Sequence, residues 1–179
     1  MILNPAAKRY AQALFNLSEE KSDLEAVHRD LQALAEVIKG SEEFRLFLSA
    51  PVIPAHKREE VLKNIFEKKV APLTVEFLLF LEKKRRLNLL DEIIGAFHEL
   101  YRNAKDILPV DISSSVPLTA AQINTITHHL KLKMRKDVEP QVHVDPAMLG
   151  GIKIKIGYVV HDYSFSHQLE KFKKSLMTV

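Results

Sequence analysis

The chain is 179 residues long, 46% apolar and 27% charged, with 26 Lys plus Arg against 23 Asp plus Glu for a formal charge of +3. That supplies cores for one ordinary domain or two small ones, and the near balance of charge is weak support for a nucleic-acid protein. The absence of Cys excludes disulfides, thiol nucleophiles and Cys-based zinc or iron–sulfur centres, and no apolar run reaches the roughly 18 residues that span a bilayer. No signal-peptide or presequence pattern opens the chain, so a soluble protein made where it acts is expected.

The first helix is announced by Asn4 as N-cap and Pro5 at the first helical position, where the missing N–H would have no partner in any case. It is expected to run to about Lys21. Ser22 with Glu25 reads as a capping box for a second helix, whose Leu24, Val27, Leu31, Leu34, Ala35 and Ile38 share one side before Gly40. A short helix after Ser41, one after Pro54 carrying Val61, Leu62, Ile65 and Phe66, one opening at Pro72 and one over about 88–104 bring the count to six. Short connections among amphipathic helices imply a compact bundle.

Beyond residue 105 the period changes. Val110 and Ile112, Val142 and Val144, and Ile152, Ile154 and Ile156 alternate with polar neighbours and read as short strands. Thr119 and Gln122 form a capping box for a helix through about Lys136, and a last helix from about Ser164 contains Leu169, Phe172 and Leu176. The expected fold is α+β and mainly α: an N-terminal six-helix bundle over residues 1–105, then a small α+β domain over residues 106–179.

Two helices are wider in apolar surface than one core requires. At about 100° per residue, Ala6, Ala7, Tyr10, Ala11, Ala13, Leu14, Phe15 and Leu17 spread over roughly 200° of the first helix. In the helix after Pro72, Leu73, Val75, Phe77, Leu78, Leu79, Phe80 and Leu81 leave almost no polar face before Glu82. Either these helices are central to the bundle, or they flank a groove that receives an amphipathic helix of a partner, with Tyr10 as an anchor.

Catalysis has no visible seat. His128 and His129 point about 100° apart on a helix and cannot jointly face a metal ion. His143, His161 and His167 lack a nucleophile or carboxylate at motif spacing, and Gly150, Gly151 and Gly157 do not make a phosphate loop. No catalytic, cofactor-binding or metal-binding residue is expected. The run Lys83-Lys84-Arg85-Arg86 reads as cations complementing a helix C-terminus, and a helical nucleic-acid-binding domain is the alternative reading.

Three segments together resemble one family. They are Ala7-Lys8-Arg9-Tyr10-Ala11-Gln12-Ala13-Leu14-Phe15; Arg86-Leu87 with Leu90, Ile93 and Phe97; and Gly150-Gly151 and Gly157 followed by Asp162-Tyr163-Ser164 and Leu169. Their order and spacing resemble the delta subunit of bacterial F-type ATP synthases and its mitochondrial relative, the oligomycin-sensitivity-conferring protein. Tyr158 stands where that family usually has Asp, and Lys84 where Asn commonly precedes the Arg-Leu pair.

The resemblance implies a non-catalytic stator subunit without cofactor, one copy per complex, at the cytoplasmic face of the bacterial plasma membrane. Its bundle would hold the N-terminal helix of an alpha subunit of the catalytic head in a groove of the first and fifth helices. Tyr10, Ala13, Leu14, Leu17, Phe77 and Phe80 are expected there. The C-terminal domain would engage the b subunits of the peripheral stalk, and Gly150, Gly151, Gly157, Asp162 and Ser164 carry the family signature.

Overall fold

The computed structural model describes residues 4–49 and 54–177, with the side chains of 55 and 174–177, and hence of Leu176, outside the described set. The chain divides into two compact units, Met1–Tyr101 and Arg102–Val179. That division falls slightly before the boundary after residue 105 expected from the change of period, within the last turn of a helix.

In the first unit, α1 (Pro5–Glu20), α2 (Leu24–Gly40), α3 (Glu42–Ser49), α4 (Ala55–Phe66), α5 (Pro72–Lys83) and, after a 3-10 turn at Leu87–Leu89, α6 (Leu90–Ala104) follow one another. Asn4 Oδ1 accepts from the Ala6 N–H at 3.0 Å, so α1 starts as its sequence implies. The core is built from the apolar stripes: Ala7, Ala11, Leu14 and Phe15 of α1, Val27, Leu31, Leu34 and Ile38 of α2, Leu62 and Phe66 of α4, and Leu90, Ile93 and Phe97 of α6 are all buried.

The expected capping box at Ser22 does not form. Ser22 has φ 59° and ends α1 in a Schellman turn, with its own N–H bonded to the Glu19 carbonyl and the Asp23 N–H to that of Ser18. A residue held left-handed to close one helix is unavailable to cap the next. Glu25 instead accepts a 2.6 Å hydrogen bond from the Tyr101 hydroxyl of α6.

Burial, the bond to the Glu25 carboxylate and that carboxylate's charge together push the Tyr101 hydroxyl up to about 12. Because the folded state holds this proton more tightly than the unfolded one, the contribution is complete below about pH 10 and lost as pH rises through about 12. Near-ultraviolet absorbance should show a tyrosine ionising near pH 12 in the folded chain, and Tyr101→Phe should remove that phase.

The second unit has a four-stranded sheet of order β2-β1-β3-β4, from β1 (Leu108–Ser114), β2 (Val138–Val144), β3 (Ile152–Ile156) and β4 (Val159–Asp162). β1 pairs parallel to β2 and antiparallel to β3, with Ile112 opposite both Val142 and Ile154. The parallel pair is joined through α7 (Ala120–Met134), whose capping box is present: Gln122 N–H donates to Thr119 Oγ1 at 3.3 Å and Thr119 N–H to Gln122 Oε1 at 2.8 Å.

Val110, Ile112, Val138 and Ile154 form the core on one sheet face, with Leu118, Ile126 and Leu130 against it. Asp111 with Lys155, and Lys153 with Asp162, pair across neighbouring strands at 4.0 and 3.9 Å. β4 was not expected from the sequence. It is four residues long, and its Val159 and Val160 are both exposed, so its pattern does not alternate. Gly157, at φ 57°, and Tyr158 make the turn that brings it back onto β3. α8 (Phe165–Met177) ends the described chain.

Candidate protein-interaction surfaces

The first surface lies where α1 meets α5. Tyr10, Ala13 and Leu17 are spaced i, i+3, i+7 and share a face of α1 beside the buried Ala7, Ala11, Leu14 stripe. Ala13 is exposed and Leu17 is 38% exposed, as is Phe80 of α5 at 44%. The Tyr10 ring meets Phe80 edge-on, with centroids 6.2 Å apart and planes at 68°. The Nζ of Lys84 lies 5.7 Å from the Phe80 centroid, and Lys21 Nζ reaches Glu76 Oε2 at 3.9 Å, so charged groups border the aromatic pair.

Two expected members of this surface belong to the core instead. Leu14 is 2% exposed and Phe77 8%, because each lies on the inward stripe of its helix. They support the surface from behind. Glu82 is also placed differently from its sequence reading as the start of a polar face. It is 2% exposed, and its Oε2 stands 3.4 Å from Arg58 Nε, an ion pair tying α4 to α5.

The position of α5 depends on a residue that the sequence did not single out. Ala71, the N-cap of α5, has no side chain to accept the free amides of the first turn. Asp30 of α2 holds this end in another way: its Oδ2 accepts from the Ala71 N–H, just before the first turn, at 2.7 Å and from the Thr74 hydroxyl at 2.8 Å. A carboxylate at a helix N-terminus contributes about 1 kcal/mol through hydrogen bonding and the helix dipole. Its signal is only negative in the sequence: an N-terminus with Pro72 but no capping residue.

At the other end of α5, Arg85 adopts φ 56°, and the Arg85 and Arg86 amides close a Schellman turn on the carbonyls of Glu82 and Leu81. The basic run therefore terminates a helix, as its sequence reading holds.

The second surface is on α8. Phe165, Leu169 and Phe172 are 56–63% exposed, and with Leu149 and Gln168 they line an open groove of about 590 Å³. What aims α8 is the signature cluster. Gly150 and Gly151 have φ of 148° and 85°, and the Phe165 N–H bonds the Gly150 carbonyl at 3.1 Å. A Cβ on Gly151 would stand 2.4 Å from the Tyr163 carbonyl oxygen, and one on Gly150 would stand 2.6 Å from the Phe165 ring.

Ser164, buried, sits just before α8. Its Oγ accepts from the His167 N–H at 3.3 Å, and its hydroxyl (2.5 Å) and N–H (2.9 Å) both donate to Asp162 Oδ1. These two bonds hold the Asp162 carboxyl below its ordinary range, with Lys153 adding to them. Gly150, Gly151, Asp162 and Ser164 are therefore brought together, and their arrangement is an anchor for a helix. Gly157 stands apart from them, in the β3–β4 turn.

No three His, Asp or Glu side chains converge on a metal-ligand arrangement among the described residues, and no described helix is long and apolar enough to cross a membrane. His128 and His129 have ring centroids 6.4 Å apart on exposed α7.

A family model for the ATP synthase delta (OSCP) subunit matches residues 6–176, spanning both units. The ATP synthase subunit delta of Chlorobaculum tepidum is 34% identical over 172 residues, covering 96% of this chain and 95% of its own. That of Desulforamulus reducens is 32% identical over 178 residues, covering 99% and 98%. Among solved structures, a chain of the Toxoplasma gondii mitochondrial ATP synthase hexamer is similar at TM-score 0.73 and 28% identity, over 97% of this chain and 98% of that one. A chain of the Polytomella F-ATP synthase, at TM-score 0.53 and 20% identity, shares the fold over 59% of this chain.

Proposed function

The chain belongs to the ATP synthase delta (OSCP) subunit family, and from that premise we propose that it works as the stator clamp of an F-type ATP synthase. It has no active site of its own: it links the catalytic head to the peripheral stalk and resists rotation of the head while the central rotor turns. The observation that carries the reading is the presence of one exposed apolar surface on each of two compact units, the arrangement a two-ended clamp requires.

In this reading the N-terminal part, residues 1–105, acts as a six-helix bundle. It takes the N-terminal amphipathic helix of an alpha subunit against Tyr10, Ala13, Leu17 and Phe80. Residues 106–179 take the ends of the stalk b subunits along α8. Membrane association, at the cytoplasmic face of the bacterial plasma membrane, comes only through the complex.

A stator contact must persist under torque, so slow dissociation matters more than fast association. Apolar burial at about 25 cal/mol per Å² drives such a contact, offset by the cost of association and ordering.

Calorimetric titration of the full chain with the N-terminal peptide of the same organism's alpha subunit tests the head contact. Tight binding with negative ΔCp, little changed by high salt, is expected. A folded chain that ignores the peptide and binds DNA with steep salt dependence would replace this reading with the nucleic-acid one.

A further inference from the structure

Within the first unit, α2 and α6 meet through a cluster that neither surface uses. His28 Nε2 and His98 Nδ1 are 3.0 Å apart, with ring planes within 4° of each other. The His28 ring lies flat against Tyr101, centroids 3.6 Å apart and planes within 5°, and Tyr101 donates its hydroxyl to Glu25. His28 is 9% exposed and His98 is half-buried. Nearby on the same two helices, Arg29 turns its Nε to the Glu25 carbonyl at 3.3 Å, and Arg102 pairs with Glu139 at 3.4 Å.

A hydrogen bond between two imidazole nitrogens needs one to donate and one to accept. The neutral pair meets that condition. The pair with one added proton meets it as well, and the bond is then charge-assisted. A second proton removes the acceptor. Two N–H groups would then face each other between two positive rings, one of them too buried to be hydrated in place.

We propose that the His28–His98 contact is a proton-operated latch between α2 and α6, closed while one of the facing nitrogens is unprotonated and released when acid loads both. Its release reaches beyond the two helices. Asp30, two residues beyond His28 on α2, holds the N-terminus of α5, so a displaced α2 loosens the anchor of the α1–α5 surface. That last consequence, acid control of head binding, rests on the proposed function of the surface; the latch itself does not.

The test is urea unfolding of the full chain from about pH 8 to about pH 5, the range in which imidazoles titrate, for the native sequence and for His98→Gln. Gln Oε1 accepts from the His28 N–H whatever the charge of that ring, so the variant keeps the contact in acid. The folding constant of the native chain should fall roughly tenfold further than that of the variant over this range. Equal falls would overturn the latch.

Should His98→Gln not fold, nitrogen NMR of the native imidazoles decides the question. Coupled two-step protonation of the pair, with α2 and α6 amides shifting at the second step, is expected. Independent single-step protonation with unmoved amides would overturn it. Affinity for the alpha-subunit peptide over the same pH range keeps the two readings apart: absent binding at every pH removes the surface assignment and leaves the unfolding result to judge the latch.

Discussion

Under the proposed head contact, Ala13→Asp is expected to weaken binding of the alpha-subunit peptide by roughly a hundredfold or more while leaving the chain folded. Ala13 is exposed on α1 between Tyr10 and Leu17, so the free protein keeps the new carboxylate hydrated. Its cost to folding is limited to helix propensity, below about 1 kcal/mol. A docked helix would strip that water without offering a partner, and burying an unpaired carboxylate costs several kcal/mol. Each 1.4 kcal/mol is about tenfold in affinity. Calorimetry of the variant against the peptide reads the effect, and a urea midpoint close to that of the native chain shows that folding is intact. Unchanged affinity would take Ala13 out of the interface.

Gly151→Ala should act on the other unit, and more through structure than through contact. The added Cβ meets the Tyr163 carbonyl oxygen at 2.4 Å and the Ser164 Cα at 2.9 Å, both backbone, on a residue at φ 85°. Overpacking and a left-handed conformation for a residue with a Cβ sum to about 3 kcal/mol. The segment that must move is the one that starts α8, so lower stability of the second unit is expected and, under the proposed stalk contact, loss of b-subunit binding with it.

Gly95→Ala is the matched control. Gly95 lies inside α6 with nothing within 4 Å of an added Cβ, and the change should raise stability by up to about 1 kcal/mol. Thermal unfolding of both variants checks the contrast. If Gly151→Ala melts with the native chain and still binds the stalk, the close approach does not govern α8.

The same two glycines show where sequence reasoning reaches and where it stops. Gly150 and Gly151 could be marked as a signature from their place in the chain, but what they accommodate, the Tyr163–Phe165 backbone and ring, lies more than ten residues away and is decided by the fold. Likewise, Ser22-x-x-Glu25 has the form of a capping box, yet Ser22 was taken by the end of α1 and Glu25 by Tyr101, 76 residues on. Thr119-x-x-Gln122 has the same form and makes the box, because no competing turn claims Thr119. Local pattern offers a conformation, and neighbours decide whether it is used.

On the first candidate surface, the excess of apolar residues on α1 and α5 was legible from period alone. Which of them face outward was not: Ala13, Leu17 and Phe80 do, Leu14 and Phe77 do not. An arc of roughly 200° contains both an inward and an outward stripe, and the sequence has no term that tells which stripe meets the core. Asp30 was beyond reach for the same reason. Its partners, Ala71 and Thr74, are brought to it only by the packing of α2 beside α5.

By itself, then, the amino-acid sequence determined the helix-rich first part, the starts of α1 and α7, the strands β1, β2 and β3 and the family, since all of these rest on local spacing or on ordered motifs. Only the tertiary structure decided β4, the burial of Glu82 against Arg58, the His28–His98 contact and the direction in which α8 starts. β4 is a hairpin neighbour of β3 whose exposed Val159 and Val160 break the alternation that would have marked it, and each of the others depends on groups apart in the chain meeting within a few ångströms, which short-range periodicity does not record.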